Sequence, residues 1–465
     1  MLNRLLFFMI VSLSLAVNLC GQKGPQRQLL KSIDSLISRR LPAIAPGAVV
    51  LIARQDQLVY HKAFGIADLK TNTRVKKEMI FRLGSVGKQF TAVAILQLVE
   101  AGRLSLLDSV QKFIKDYPSY GATVTIENLL SHTSGIKNYF EINIADEDSI
   151  INRYTPKQVV DLFKNEPLLF VPGSRFQYSN SNYFLLGYII EQVTGKNYKD
   201  YLQSNVLDKA ELSSTHYIDP SRKDLQRATG YSRFNGKQED AELESINLTY
   251  AAGGLEGTVS DLFKWHEALY NKEIISESSL KKATTAFRLS DGSMSDYGYG
   301  WYLKKIDELQ TVEHSGSTDG FQTDVIYLPQ ENIFVATVFN CYEADMDWQV
   351  LSNDIVRTLA GKPLGSAVKL TEEELELYVG LYEVFAGTVR HQMSVTRQGG
   401  RLFVEALNPN DKLPKVELFA EAYDKFYIKE AQLRFEFVKL AQDGPYSLVT
   451  YNSRGKDAEW KKVSH

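Results

Sequence analysis

Cysteine is nearly absent: the 465-residue chain has two, Cys20 and Cys341. With Cys20 in an N-terminal segment that reads as removed or lipidated, no disulfide framework can form, and stability must come from a packed core. A dominant charge sign is missing too. Against 56 Asp+Glu stand 53 Lys+Arg, a formal net charge of -3, and no dense basic run occurs, which argues against a nucleic-acid partner. After the first twenty or so residues no apolar run approaches the length of a bilayer crossing, so no membrane span is expected in the mature chain. No His-x-x-x-His, Cys-x-x-Cys or dense carboxylate loop occurs, and the Gly-x-Ser-x-Gly elbow, dinucleotide fingerprint and phosphate loop are absent; neither a metal nor a cofactor is expected. What remains is ordinary globular usage, with 44% hydrophobic and 23% charged residues, which sets aside collagen-like, disordered and multi-span chains.

Residues 1–21 read as a signal peptide. A short n-region with Arg4 leads into an apolar stretch from Leu5 to Val17, too short for a comfortable bilayer crossing but suited to a signal core. Cleavage falls near Cys20 or Gly21, or Cys20 is the lipidated first residue of a bacterial lipoprotein; Leu19 counts against lipidation, because that position usually holds a small residue. The expected location is exported, periplasmic or secreted, with an outer-membrane lipoprotein anchored at Cys20 as the variant.

The remainder divides unequally. Residues 22–362 mix strands and helices. Pro46 to Ala53 and Gln57 to Tyr60 predict a hairpin, Ser85 to Glu100 a helix ending at Ala101-Gly102, and Thr311–Glu313, Thr323–Leu328 and Ile333–Val338 late strands. Strands at both ends with helix and loop between them predict one sheet built from both ends, a helical insertion, and a cleft at the seam. A linker and short acidic helix follow at 363–377. Residues 378–465 alternate polar and apolar in short runs, such as Gln392–Thr396, Arg401–Val404, Lys425–Ile428 and Arg434–Val438, and predict an up-and-down meander closed into a small all-β barrel. The fold class is therefore α+β with an appended barrel.

The chemistry gathers in the larger part. Ser85-Val86-Gly87-Lys88 opens the predicted helix, so Lys88 lies one turn from Ser85 on the same face. A serine hydroxyl is a weak nucleophile until a base takes its proton, and a desolvated amine can be that base; the start of a helix adds a field that favours an oxyanion. The spacing alone is poor support, since Ser109/Lys112, Ser134/Lys137, Ser278/Lys281, Ser366/Lys369 and Ser453/Lys456 share it. An N-cap serine with a solvated lysine is the bland alternative.

Context adds more. Phe81 to Thr91 is followed by Leu104 to Asp108, Leu129-Leu130-Ser131-His132-Thr133-Ser134-Gly135, Pro172-Gly173, Tyr178-Ser179-Asn180, Ala252-Gly253-Gly254-Leu255 and His314-Ser315-Gly316. This ordered set, over about 320 residues, resembles the β-lactamase-related serine hydrolases: class C β-lactamases, low-molecular-weight penicillin-binding proteins, D-aminopeptidases and carboxylesterases of one fold. The resemblance implies a β-lactamase/transpeptidase-like antiparallel sheet flanked by helices, with a helical subdomain. It makes Ser85 the acylated nucleophile, Lys88 its proton partner, Tyr178 a second general acid or base, and Asn180 a group orienting Lys88 or the acyl amide. His314-Ser315-Gly316 stands where the best-known members carry Lys-Thr-Gly. Histidine is largely neutral at pH 7, so strong dependence on a substrate carboxylate is put in doubt. The resemblance also implies that this is an edge strand and that the Ser317 N–H joins that of Ser85 as an oxyanion hole. It makes His132 structural, the Ala252-Gly253-Gly254 run a backbone wall, and the C-terminal meander, opening at Tyr378-Val379-Gly380-Leu381-Tyr382, lipocalin-like. The expected activity is an acyl-enzyme serine hydrolase acting on a small peptide, amide or ester, including D-amino-acid peptides of cell-wall type. A carboxylesterase, a weak β-lactamase and a catalytically silent cell-wall-peptide binder are the alternatives.

Overall fold

A computed structural model of the protein describes residues 27–464 apart from 39, 42, 143–153, 235–236, 242–245, 344–347, 363–369, 388, 409–412, 421–423, 429–432, 440–445 and 453–454. The signal-peptide reading, Cys20 and most of the expected linker lie outside the described residues. Helices α1 (27–38) and α4 (Trp348–Leu359) share the core on one side of the central sheet; α2 (Gly87–Glu100) and α3 (Asn180–Thr194) share the core on the other, where the helix Val259–Tyr270 lies on the sheet itself.

The expected hairpin is β1 (Ala48–Arg54) and β2 (Gln57–Phe64). Gln55 and Asp56 join them, both at positive φ (51° and 58°), a two-residue turn whose twist suits paired strands. The late strands are β3 (Tyr302–Ile306), β4 (Leu309–Thr318), β5 (Phe321–Leu328) and β6 (Ile333–Phe339), and they complete an antiparallel sheet in the order β3-β4-β5-β6-β1-β2. The early and late strands of this larger part meet at β1 and β6, with the helical insertion between β2 and β3.

β1 and β6 read as unbroken apolar runs because both of their faces are covered. Along β1, Val49, Leu51 and Ala53 enter one core with α2 and α3, while Ala48, Val50 and Ile52 enter a second core with α1 and α4. β6 divides the same way, Phe334, Ala336 and Val338 against Ile333, Val335 and Phe339. α2 has no polar face: buried residues run from Gly87 through Leu96, with Phe90 stacked on Trp265 at 4.2 Å. A helix buried all round is a rigid mount for its first turn.

The C-terminal part is a closed eight-stranded antiparallel barrel, β7 (Gly380–Ala386), β8 (Val389–Gln398), β9 (Arg401–Ala406), β10 (Val416–Ala420), β11 (Lys425–Tyr427), β12 (Arg434–Lys439), β13 (Tyr446–Asn452) and β14 (Gly455–Ser464). Pairing of β7 with β14 closes it, and Tyr382, Val395, Val404, Phe435 and Leu448 fill it. The short acidic helix precedes it at Glu372–Glu376, where Thr371 and Glu374 form a capping box.

Candidate active site

Ser85 does not open an α-helix. It sits in a 3-10 turn, Gly84–Val86, and α2 begins at Gly87. The reason is Gly84, whose φ of +53° is open to glycine at little cost and breaks the helical path one residue before the serine. Ser85 is partly exposed, whereas Lys88 is completely buried. A buried ammonium must be met by acceptors, and here three match its three N–H donors: Ser85 Oγ at 3.0 Å, Asn180 Oδ1 at 2.8 Å and the Ala252 carbonyl at 2.7 Å. Asn180 is delivered by the start of α3. Ala252 is delivered by the helix Ile246–Gly253, which is broken at Tyr250 (φ 34°, ψ -124°). This break sends two successive carbonyls to α2, Ala251 to the Thr91 hydroxyl at 2.7 Å and Ala252 to Lys88.

Tyr178 lies two residues before α3. Lys88 Nζ stands 4.9 Å from the centre of its ring, and the hydroxyl is shielded from solvent beside the Ser85 hydroxyl. Burial pushes this phenol well above its ordinary range; the neighbouring Tyr302, stacked on it at 6.2 Å, adds to the rise, while the Ser85 hydroxyl pulls the other way. Tyr178 is thus a neutral O–H donor at physiological pH rather than a phenolate.

His314 and Gly316 lie on β4. β3 pairs with β4 only from Leu309 to Glu313, so the half of β4 that carries His314, Ser315, Gly316 and Ser317 has an open edge on that side. That half passes directly over the serine turn. A Cβ on Gly316 would lie 2.0 Å from the Leu83 carbonyl and 3.0 Å from the Ser85 N, and one on Gly84 would lie 2.9 Å from the Ser317 N. Two glycines thus let two backbones touch where the Ser85 and Ser317 amides belong. Burial pushes His314 down to about 3, with the Lys88 charge adding to the effect, so the ring is neutral. His132 is also buried, and burial and the Lys88 charge hold it well below the ordinary imidazole range. Its Nδ1 accepts the Ser179 N–H at 3.2 Å, and its ring lies 4.3 Å from that of Tyr178, so it packs under the tyrosine and holds the chain leading into α3.

All seven residues expected from the sequence, Ser85, Lys88, Tyr178, Asn180, His314, Gly316 and Ser317, therefore come together. Three contributors carry no such signal in the sequence motifs: the Ala252 carbonyl as a direct acceptor, Tyr302 under Tyr178, and Tyr297, whose hydroxyl is 2.9 Å from His314 Nε2. The trace that could have pointed to Tyr297 is the run Tyr297-Gly298-Tyr299-Gly300-Trp301, in which alternating glycines mark close backbone approach. A cavity of about 460 Å3 lined by Glu313, His314, Ser315 and Asp324 and the barrel residues Arg434, Glu436 and Tyr451 adjoins the site at His314, but Ser85, Lys88 and Tyr178 do not line it. Among the described residues no three His, Cys, Asp or Glu side chains gather as a metal site, and no helix is long and apolar enough to cross a membrane.

A family model described as Beta-lactamase matches residues 34–358. A penicillin-binding protein of Bacillus subtilis strain 168 is 30% identical over 436 residues, covering 88% of this chain and 93% of its own. The octameric penicillin-binding protein homologue of Pyrococcus abyssi superimposes with a TM-score of 0.65 at 26% identity, over 93% of this chain and 99% of its own. The D-amino acid amidase of Ochrobactrum anthropi, at 20% identity and a TM-score of 0.62 over 72% of this chain and 99% of its own, shares the fold.

Proposed function

The chain belongs to the β-lactamase family of serine hydrolases, and from that premise we propose that it is an exported enzyme that hydrolyses a peptide, amide or ester through an acyl-enzyme on Ser85. The observation that carries the reading is the buried Lys88 ammonium shared between Ser85 Oγ and Asn180 Oδ1, beside the touching backbones of Gly84 and Ser317. In the acylation step the Ser85 oxygen bonds to the substrate carbonyl carbon, and its proton passes to Lys88 Nζ in the amine's unprotonated form. The Ser85 and Ser317 N–H groups receive the oxyanion. As the carbon's bond to the leaving group breaks, neutral Tyr178 gives its hydroxyl proton to that group and is reprotonated from Lys88. Water then retraces the sequence in the leaving group's place and frees Ser85.

The similarity to a penicillin-binding protein at 30% identity supports a D-amino-acid-containing peptide as the substrate class, with esters and, weakly, β-lactams turned over by the same serine. The apolar run Leu5–Val17 supports export. The division into a hydrolase domain at 22–362 and a lipocalin-like barrel domain at 378–465 belongs to the same proposal. Turnover of an activated acyl ester and of an N-acyl-D-alanyl peptide tests it. Both activities should be lost in Ser85→Ala without change in the unfolding temperature, and retention of either in that variant rejects the assignment.

A further inference from the structure

His314 stands where a substrate's terminal group would be met, yet neither of its ring nitrogens is free. Nδ1 lies 2.6 Å from the carbonyl oxygen of Ser315, which can only accept, so Nδ1 carries the proton. In the neutral ring Nε2 is then a lone pair, and it receives the hydroxyl hydrogen of Tyr297 at 2.9 Å. Both partners are fixed by packing. His314 is 1% exposed, and Tyr297 is fully buried with ring contacts to His132 at 4.8 Å, Phe176 at 5.7 Å and Tyr302 at 4.7 Å. The segment that carries Tyr297 is held by its glycines. A Cβ on Gly298 would meet the Ala283 carbonyl at 2.0 Å, and one on Gly300, at φ +90°, would lie 3.1 Å from the Lys88 carbonyl. The loop is therefore locked against the start of α2.

A carboxylate arriving here finds no free N–H on His314, and the Tyr297 hydrogen is already given to Nε2. The two cations that act on the ring are committed elsewhere. Lys88 is satisfied by Ser85, Asn180 and Ala252, and Lys304 lies 3.7 Å from Glu313 and 4.2 Å over the Tyr302 ring. Desolvating a carboxylate without a donor is costly, whereas a carboxamide or ester brings neutral groups that cost less to bury. Resting on the acyl-enzyme reading of Ser85, we propose that Tyr297 is a specificity-determining positioning residue: it fixes His314 as an acceptor, so that the site selects substrates whose leaving side ends in a neutral group rather than a free carboxylate.

The test uses the full-length mature protein and two thioesters of one N-acyl-D-alanine, differing only in whether the leaving thiol ends in a carboxylate or its carboxamide. Wild type should show a kcat/KM at least about tenfold higher for the carboxamide. His314→Lys should invert the order, and Tyr297→Phe, which frees Nε2 to take a proton, should shift the ratio at least about threefold toward the carboxylate. Wild-type preference for the carboxylate, or a ratio unmoved in Tyr297→Phe, overturns the proposal. A carboxylate preference lost in Lys304→Ala also overturns it and assigns recognition to that lysine. Nitrogen-15 spectra of the histidine rings give a reading that does not depend on the variants folding: His314 should be a non-titrating Nδ1–H tautomer from pH 5 to 8, and an Nε2–H form rejects the lock. Fluorophosphonate labelling of wild-type Ser85 separates the two levels, since labelling with the wrong ratio rejects the specificity inference alone, while absence of labelling and of turnover rejects the hydrolase reading with it.

Discussion

Gly316→Ala should disable the enzyme without unfolding it. The added methyl would sit 2.0 Å from the Leu83 carbonyl and 3.0 Å from the Ser85 amide nitrogen, where ordinary contact begins near 3.4 Å. Both neighbours are backbone, so relief requires β4 or the serine turn to retreat by more than ~1 Å, and the neighbouring Ser317 amide moves with the strand. Loss of one oxyanion donor costs about 100- to 1,000-fold in turnover, roughly 3–4 kcal/mol of barrier, and a displacement of this size has a similar effect on alignment. Burst kinetics with an activated ester measure the acylation rate, and thermal unfolding reports on the fold. Gly400→Ala is the control, because no atom lies within 4 Å of the position its Cβ would take. Acylation by Gly316→Ala within about threefold of wild type, in a protein that melts normally, refutes the argument that backbone contact at this strand builds the oxyanion site.

Two buried titratable groups give further expected outcomes. Lys88→Met should slow acylation by about 100- to 10,000-fold and destabilise the fold by about 1–3 kcal/mol, because Asn180 Oδ1 and the Ala252 carbonyl lose their donor; a pre-steady-state burst of wild-type rate contradicts it. His266 packs among Tyr270, Tyr327 and Phe334, and burial pushes it down to about 4. The unfolded chain then binds the extra proton, so this group's contribution is complete above about pH 6.5 and is lost as pH falls toward 4, about 3 kcal/mol in all. Urea unfolding at pH 7 and 4.5 should show a difference smaller by about 2 kcal/mol in His266→Phe than in wild type, and equal differences refute the assignment.

Much of the architecture was legible because burial on two faces leaves a plain mark. The runs along β1 and β6 could only be central strands, and the closely spaced short strands after Tyr378 could only close on themselves. The serine was legible through its company, not its spacing. Ser109/Lys112 and Ser134/Lys137 share that spacing, but Lys112 reaches Asp108 and Lys137 reaches Glu166, so each lysine pairs with a carboxylate instead of the serine. What sequence reasoning could not supply was contact between distant backbones. Gly84 bends the chain before Ser85, so the serine precedes the helix instead of opening it. The broken turn at Tyr250 aims the Ala252 carbonyl, and a carbonyl has no letter in the sequence. Tyr297 belongs to a glycine-rich segment that reads as a loop, and its role depends on which His314 nitrogen it meets, a matter of three-dimensional placement.

Everything proposed for this site rests on Ser85 Oγ being the atom that is acylated. Intact mass spectrometry of the mature protein over time with an alkyl fluorophosphonate, followed by peptide mapping, reads that atom without a choice of natural substrate. A single phosphonyl adduct should form on the peptide containing Ser85, absent in Ser85→Ala and slowed in Lys88→Met. An adduct formed at the wild-type rate in Ser85→Ala, or on any other residue of the wild type, would contradict the assignment.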